Sequence, residues 1–348
     1  MQLGIANLLK SDLDETVQYL LTRREFFEGK EVLIFGGTGF VGTWLTSTLL
    51  SANDEHNFNM NIKIVTRDSY KASLRFGVSG KSVEYIEQDL SQGEPRIAPR
   101  ADIVFLGSTP TRNSTGSNDN RIMLEAALNA ANFAVKVRSL NFNKPQVVHL
   151  SSGAVYGKQP LGMSLRSELD PVFENASDPY VMSKILIDNI ISLGLEANAI
   201  DFYSPRLFAF AGPLISLGEH FAVGNFMGDG MNRRAIRING HPETLRSYMY
   251  PTDLIRCLLA LVGSGLKLPV NIGSDFPIKM INLARQINKL TYDCGIEALN
   301  LSSAQSNYVP SIDNQKKYLQ TRGLISLEES ISRWKKWIKL SDHPTSPA

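Results

Sequence analysis

The 348 residues carry 36 Lys and Arg against 34 Asp and Glu, a formal net charge of +2, with 43% hydrophobic and 20% charged residues. That length and balance allow one large or two medium domains with a sizeable core, and give no field strong enough to draw the chain to nucleic acid or an anionic membrane. Two cysteines, Cys257 and Cys294, sit far from any metal or redox spacing, which excludes a disulfide scaffold and fits a reducing, cytoplasmic setting.

The stretch Met1 to Asp14 holds one lysine and early acids, unlike a secretory signal, and no apolar run reaches membrane-span length. Residues 11–27 read as an amphipathic helix with Ser11 as cap, acids Asp12, Asp14 and Glu15 at its positive end, and Leu13, Val17, Leu20 and Leu21 on one face. Gly29 and Lys30 close it, so residues 1–30 form a helical extension packed on the main body. An apolar run at Val32 to Phe35 precedes a glycine-rich turn and a helix through Leu45, Leu49 and Leu50. Further strands are predicted at Ile62 to Thr66, Val83 to Ile86, Ile103 to Leu106 and Val147 to Leu150, with a helix over about 120–140. Nearly all-apolar strands alternating with helices indicate an α/β fold: a doubly wound parallel sheet covered on both faces. After Pro205 the chain becomes richer in Gly, Pro and aromatics. Residues 31–205 are therefore assigned to the sheet domain and 206–348 mainly to a smaller substrate-binding region, with short strands such as Val270 to Ile272 able to return to the sheet.

The turn Gly36-Gly37-Thr38-Gly39-Phe40-Val41-Gly42 satisfies both G-x-G-x-x-G and G-x-x-G-x-x-G. Between a buried strand and a helix, such glycines let backbone approach a pyrophosphate, and the helix start offers amides and partial positive charge. The pattern marks a Rossmann-type dinucleotide site. NAD binders usually place an acid at the end of the second strand; here Arg67 takes that place and Asp68 follows. An arginine there suits a 2′-phosphate, which favours NADP(H) over NAD(H). The alternative leaves Arg67 at the surface and gives the ribose to Asp68.

Tyr180 and Lys184 form Y-x-x-x-K, a spacing that stacks both on one helix face. A phenol titrates near ~10, and lowering that by about three units takes roughly 4 kcal/mol of differential stabilisation, which the ammonium and a cationic nicotinamide would share. Earlier, His149-Leu150-Ser151-Ser152-Gly153-Ala154-Val155-Tyr156-Gly157 follows a buried strand, so Ser152 can meet a reacting oxygen at the carboxyl end of the sheet.

Taken together, these motifs resemble the extended short-chain dehydrogenase/reductase family, in particular its NAD-dependent epimerase/dehydratase group acting on nucleotide sugars. The likeness spans residues 31 to about 337 and includes Arg206-Leu207-Phe208, Gly212-Pro213, Arg246 through Asp253, Asn271-Ile272-Gly273 and Tyr308-Val309-Pro310. The resemblance implies a catalytic set of Ser152, Tyr180 and Lys184. It adds Asp89 and Leu90 to the cofactor residues Gly36 to Gly42, Arg67, Asp68, Tyr180 and Lys184, and implies that Arg246 clamps a diphosphate. Asn225 is a further candidate substrate ligand, and Arg237 and His241 are weaker pocket candidates.

Dehydratases of the group carry Asp-Glu directly after the hydroxyl residue, and decarboxylases keep a Glu there. Gly153 and Ala154 cannot ionise, so reduction of a nucleotide 4-keto-6-deoxysugar or epimerisation at C4 remains. Arg67 favours the NADPH reductase; the epimerase would keep NAD bound. A dinucleotide-sensing scaffold without turnover is disfavoured because Tyr and Lys are both present. A nucleic-acid module is disfavoured because basic residues are scattered. His56, His149, His220, His241 and His343 show no metal-ligand spacing. Family members often pair through helices, which implies a homodimer.

Overall fold

The computed structural model describes residues 9–78, 80, 82–109, 120–142, 144–163, 165–172, 178–198, 200–218, 221–299, 304–320 and 323–341. His220 and His343 lie outside them. The chain forms two compact units: Met1–Gly157, Val172–Leu207 and Ile255–Val270 in the first, and Lys158–Pro171, Phe208–Leu254 and Asn271–Ala348 in the second. The sequence division at 205/206 let segments of 206–348 return to the sheet domain; in the structure Ile255–Val270 belongs to the first unit and Lys158–Pro171 to the second.

In the first unit, helices α1 (Lys10–Leu21) and α2 (Arg24–Phe27) come first. Leu13, Val17 and Leu20 are buried, as their spacing requires. Ser11 does not cap α1. The helix starts at Lys10 behind a buried Leu9, whose carbonyl accepts from Leu13 N at 2.9 Å, so burial of the leucine sets the start.

Strand β1 (Glu31–Phe35) leads through the glycine turn to α3 (Phe40–His56), then β2 (Asn61–Thr66), α4 (Ser69–Phe76), β3 (Val83–Glu87) and β4 (Ile103–Leu106). Helix α1 docks on α3 through Thr16 and Thr48, whose hydroxyls lie 2.9 Å apart. Helix α5 (Asn120–Lys136), β5 (Gln146–His149), β6 (Ser151–Ser152), α6 (Pro179–Asn198), β7 (Asp201–Tyr203) and β8 (Pro205–Leu207) complete the series. The six-stranded sheet runs β3-β2-β1-β4-β5-β7, parallel throughout, with Val32 flanked by Ile62 and Ile103. Strand order reverses between β1 and β4, which opens a crevice at their carboxyl ends. Central strands are buried nearly along their length because helices cover both faces; edge strand β3 buries Val83 and Ile86 and exposes Glu84 and Glu87. Ala126, Ala127, Ala130, Ala131 and Ala134 are buried on α5, and Phe133 meets Phe35 with ring centroids 5.7 Å apart. The predicted helix to residue 140 stops at Lys136, since the next residues wrap around the carboxylate of Asp102: Ser139 Oγ, Leu140 N and Asn141 N all donate to it.

The second unit holds α7 (Ala222–Met231), β9 (Ile236–Ile238) paired in parallel with a strand at Ile296–Ala298, and β10 (Leu245–Arg246) antiparallel to Ile278–Lys279. Buried Tyr250 and Trp334 are among its largest core side chains.

Candidate active site

Each end of the glycine turn requires its glycine for a different reason. Gly36 has φ +75°, and a Cβ there would lie 2.5 Å from the Gly107 carbonyl oxygen; a Cβ on Gly42 would lie 2.1 Å from the Gly36 oxygen. Gly36 thus makes the turn and Gly42 lets α3 close on it. Gly39 sits at the N-cap without a side-chain cap, and the first turn beginning Phe40-Val41 holds no acid. This cradle fits a dinucleotide pyrophosphate: close backbone, no obstructing side chain, and the positive end of a 17-residue helix.

Sequence reasoning missed Arg75, on α4. Its Nη1 donates to the Thr38 carbonyl oxygen inside the turn and to Thr43 Oγ1 at 3.0 Å, and burial lowers its pKa. Both acceptors are neutral, so the guanidinium brings a net positive charge to the cradle. Only the tertiary return of α4 puts it there; nothing local in the sequence marks it. Arg67 is exposed just past β2. Asp68, the alternative ribose ligand, spends its carboxylate on capping α4, accepting from Lys71 N at 2.8 Å. Asp89 likewise accepts from Ser91 N and Oγ, both at 2.9 Å, and the buried Leu90 offers its carbonyl to Asn129 Nδ2 at 2.7 Å.

Pro179 opens α6, with Asp178 Oδ1 accepting from Tyr180 N at 3.1 Å, a combination suited to a helix start. Tyr180 therefore stands in the first turn and Lys184 one turn later. Lys184 is 4% exposed; its Nζ donates to the Leu150 carbonyl at 2.6 Å and lies 5.5 Å from the Tyr180 ring centroid. Burial lowers its pKa to about 8, against the opposing charge of Asp188. Burial raises the pKa of the Tyr180 phenol, while a hydrogen bond with Ser152 lowers it. Ser152 Oγ accepts from Ala154 N at 3.1 Å, so this serine caps the following turn. In this arrangement the Lys184 ammonium bonds to the Leu150 carbonyl and lies beside the phenol ring.

Sequence reasoning also missed the side chains behind this pair. His149 Nδ1 lies 2.6 Å from Asp188 Oδ1, and Ser151 and Ser204 donate to the same carboxylate at 3.2 and 2.5 Å. The signal was present, since Asp188 continues the four-residue step from Tyr180 through Lys184. Arg206 donates to Tyr156 Oη at 2.6 Å and lies over its ring.

Within the second unit, Asn225 on α7 has a buried Oδ1 that finds no hydrogen-bond partner. Arg246 on β10 donates to the carbonyls of Leu245, at 3.0 Å, and Ser306, and its guanidinium stands 6.0 Å from the Tyr308 ring centre. Arg237 pairs with Asp229 at 3.1 Å, and His241 Nδ1 accepts from Glu243 N, so the structure commits both to local contacts. A Cβ on Gly273 would lie 3.0 Å from both Phe208 and Pro310, and Phe208 stacks against Tyr308 at 4.6 Å.

Fold and site define a Rossmann-type dinucleotide-binding protein with a Ser–Tyr–Lys centre. A model of the NAD-dependent epimerase/dehydratase family matches residues 32–273, so the chain belongs to that family. Its relatives include UDP-glucuronic acid decarboxylase 1 of Xenopus tropicalis, 24% identical over 310 residues that cover 87% of this chain and 71% of that protein. The fold is shared with UDP-glucose 4-epimerase of Thermotoga maritima solved with UDP-glucose (TM-score 0.73, 17% identity, 89% of this chain and 98% of the other). It is shared too with UDP-glucuronic acid 4-epimerase of Bacillus cereus in complex with UDP-glucuronic acid and NAD (TM-score 0.69, 16% identity, 89% and 99%).

Proposed function

We propose that this protein transfers hydride at C4 of a nucleotide-activated hexose, and that the reaction is reduction of a nucleotide 4-keto-6-deoxysugar with NADPH. The observation that carries the reading is the placing of Tyr180 and Lys184 on one face of α6, with the Lys184 ammonium 5.5 Å from the phenol ring centre and bonded to the Leu150 carbonyl two residues before Ser152, followed by the non-ionisable Gly153-Ala154. The dinucleotide, when bound, supplies the hydride and a positive ring. Ser152 hydrogen-bonds the sugar oxygen, Tyr180 gives it a proton as C4 becomes a carbinol, and Lys184 stabilises the phenolate that remains. Gly153 and Ala154 offer no acid or base for elimination or decarboxylation, which sets this site apart from what the decarboxylase relatives' names state. Asn225, with its unpaired oxygen, and Arg246 are the proposed sugar and diphosphate ligands. A homodimer goes with this reading.

Arg67, exposed past β2, and Arg75 of α4, bonded to the glycine turn, support a phosphorylated adenosine ribose and hence NADP(H). A second reading, a 4-epimerase that keeps NAD(H) through its cycle, is favoured by the family's NAD dependence and by the two epimerases that share the fold. Native mass spectrometry with turnover assays decides between them. Purified protein is expected to take up NADPH and oxidise it when given UDP- or dTDP-4-keto-6-deoxyglucose. NAD carried through purification, with interconversion of C4 epimers, would replace the reductase by the epimerase; no conversion of any nucleotide sugar would overturn both.

A further inference from the structure

The face of α6 that carries Tyr180 and Lys184 presents Asp188 one turn further on. Three segments converge on its carboxylate. His149 at the end of β5 meets Oδ1 through Nδ1 at 2.6 Å, Ser204 between β7 and β8 donates to Oδ1 at 2.5 Å, and Ser151 on β6 donates to Oδ2 at 3.2 Å. His149 is fully buried, and its Nε2 has no hydrogen-bond partner. A neutral imidazole held to a carboxylate through Nδ1 carries its proton there, which leaves Nε2 as a bare lone pair. The proposed reaction uses none of these groups directly, yet they join α6 to the strand segment that bears Ser152.

We infer that Asp188 is the positioning residue of the site: it pins α6 to β5, β6 and the β7–β8 junction, and its negative charge keeps the buried Lys184 ammonium protonated. The catalytic half of this inference rests on the function proposed above. Lys184 is nearly inaccessible to water and has a single neutral acceptor, the Leu150 carbonyl, so its charge needs a counter-charge within the fold. Burial alone pulls its pKa down and Asp188 opposes that, leaving it at about 8. Burial likewise pushes Asp188 up, but the His149 and serine contacts outweigh it and hold the carboxylate below its ordinary range. His149 is held neutral by burial, which with the Lys184 charge outweighs Asp188. Among the described residues, the titratable groups around Lys184 are Tyr180 and Asp188 from its own helix and His149 from β5. Asp188 also faces a cavity of about 470 Å³ lined by Val155, Met182, Ile185, Asn189 and Arg206, so among the described residues Arg206 is a further cation in its surroundings. Near neutral pH the cluster carries one negative charge on the partly exposed Asp188 and one positive charge on the buried Lys184, and loss of Asp188 leaves that cation without its counter-charge.

The test is an NMR titration of the Lys184 ammonium in the full chain, with the resonance assigned by its loss in Lys184→Met. In the parent protein the midpoint is expected near 8. In Asp188→Asn it is expected to fall by about one pH unit or more, and the alkaline limb of kcat to move with it while KM changes little. If that variant does not fold, Asp188→Ser removes the same charge with a smaller side chain. Ser204→Ala, which trims a donor but keeps the carboxylate, should leave the midpoint in place. An unchanged midpoint without Asp188, or an equal fall in Ser204→Ala, overturns the inference. The titration needs no substrate, so absence of nucleotide-sugar turnover would sink the proposed function and leave this result standing.

Discussion

Two carboxylates, the buried Asp102 and the partly exposed Asp188, sit at opposite ends of one sheet and do different work. Asp102, at the amino end, accepts from Glu31 N at 3.0 Å, Ser139 Oγ and Asn141 N at 2.7 Å, Leu140 N at 2.9 Å and Asn141 Nδ2 at 2.7 Å. Burial raises its pKa, but these neutral donors together bring it below the ordinary value. Asp188, at the carboxyl end, has a titratable partner in His149 beside the hydroxyls of Ser151 and Ser204. The first carboxylate closes a loop; the second sets the electrostatics of a reactive lysine. The contrast says that the amino end of the sheet is built for stability and that the carboxyl end gives up stability for chemistry.

The sharpest way to break that contrast is at the phenol. Tyr180→Phe removes one oxygen from the carboxyl end and nothing from the core. Turnover of the nucleotide sugar is expected to fall by about a thousandfold, roughly 4 kcal/mol of transition-state stabilisation, with thermal stability and dinucleotide affinity nearly unchanged. Steady-state kinetics beside a cofactor titration checks this. Activity within threefold of the parent would mean that the carboxyl end holds some other acid.

The amino end should respond in the opposite manner. Asp102→Ala leaves buried amides without an acceptor and is expected to cost about 3 kcal/mol of stability by urea unfolding, while the folded fraction keeps its kcat. The pH dependence has a fixed sign. Because the folded pKa is depressed, the Asp102 contribution is complete above the ordinary carboxylate range and disappears as pH falls through the folded value. The variant should therefore approach the parent in acid. A loss of kcat in the folded fraction would erase the distinction between the two ends.

How much of this was legible from residues alone follows the distance between partners. Ile103 to Leu106, the glycine turn and the Tyr180–Lys184 step are local patterns, set by burial, by φ and by helical pitch, and the structure has each where the pattern put it. Ser11 failed as a cap because capping competes with burial of Leu9, and the capping rule sees only the former. Asp68, the alternative ribose ligand, meets a nearer demand at the start of α4, where it accepts from Lys71 N. Arg75 reaches a turn 37 residues earlier and His149 a carboxylate 39 residues later, contacts that exist only once the sheet has assembled. Asp188 lay in plain view of the helical period, but a step of four says which side of a helix a residue occupies and not what waits there.

Lys184 gives the smallest and most diagnostic effect, because the comparison predicts that removing a functional residue stabilises the protein. Its pKa is near 8 in the fold against 10.5 in the free side chain. At pH 7 that difference of 2.5 units corresponds to about 3 kcal/mol of charge-burial cost, which the unfolded chain does not bear. In Lys184→Met the cost disappears, while loss of the bond to Leu150 returns about 1 kcal/mol, so the variant is expected to be about 2 kcal/mol more stable. Between the folded and free pKa values the unfolded chain binds more protons than the native one, so parent stability rises with pH there and the gap between parent and variant narrows from pH 8 upward. Urea unfolding at pH 7 and pH 10 reads both the gain and its decay. A variant less stable than the parent at pH 7 would mean that Asp188 fully compensates the ammonium, and that the carboxyl end is as well balanced as the amino end.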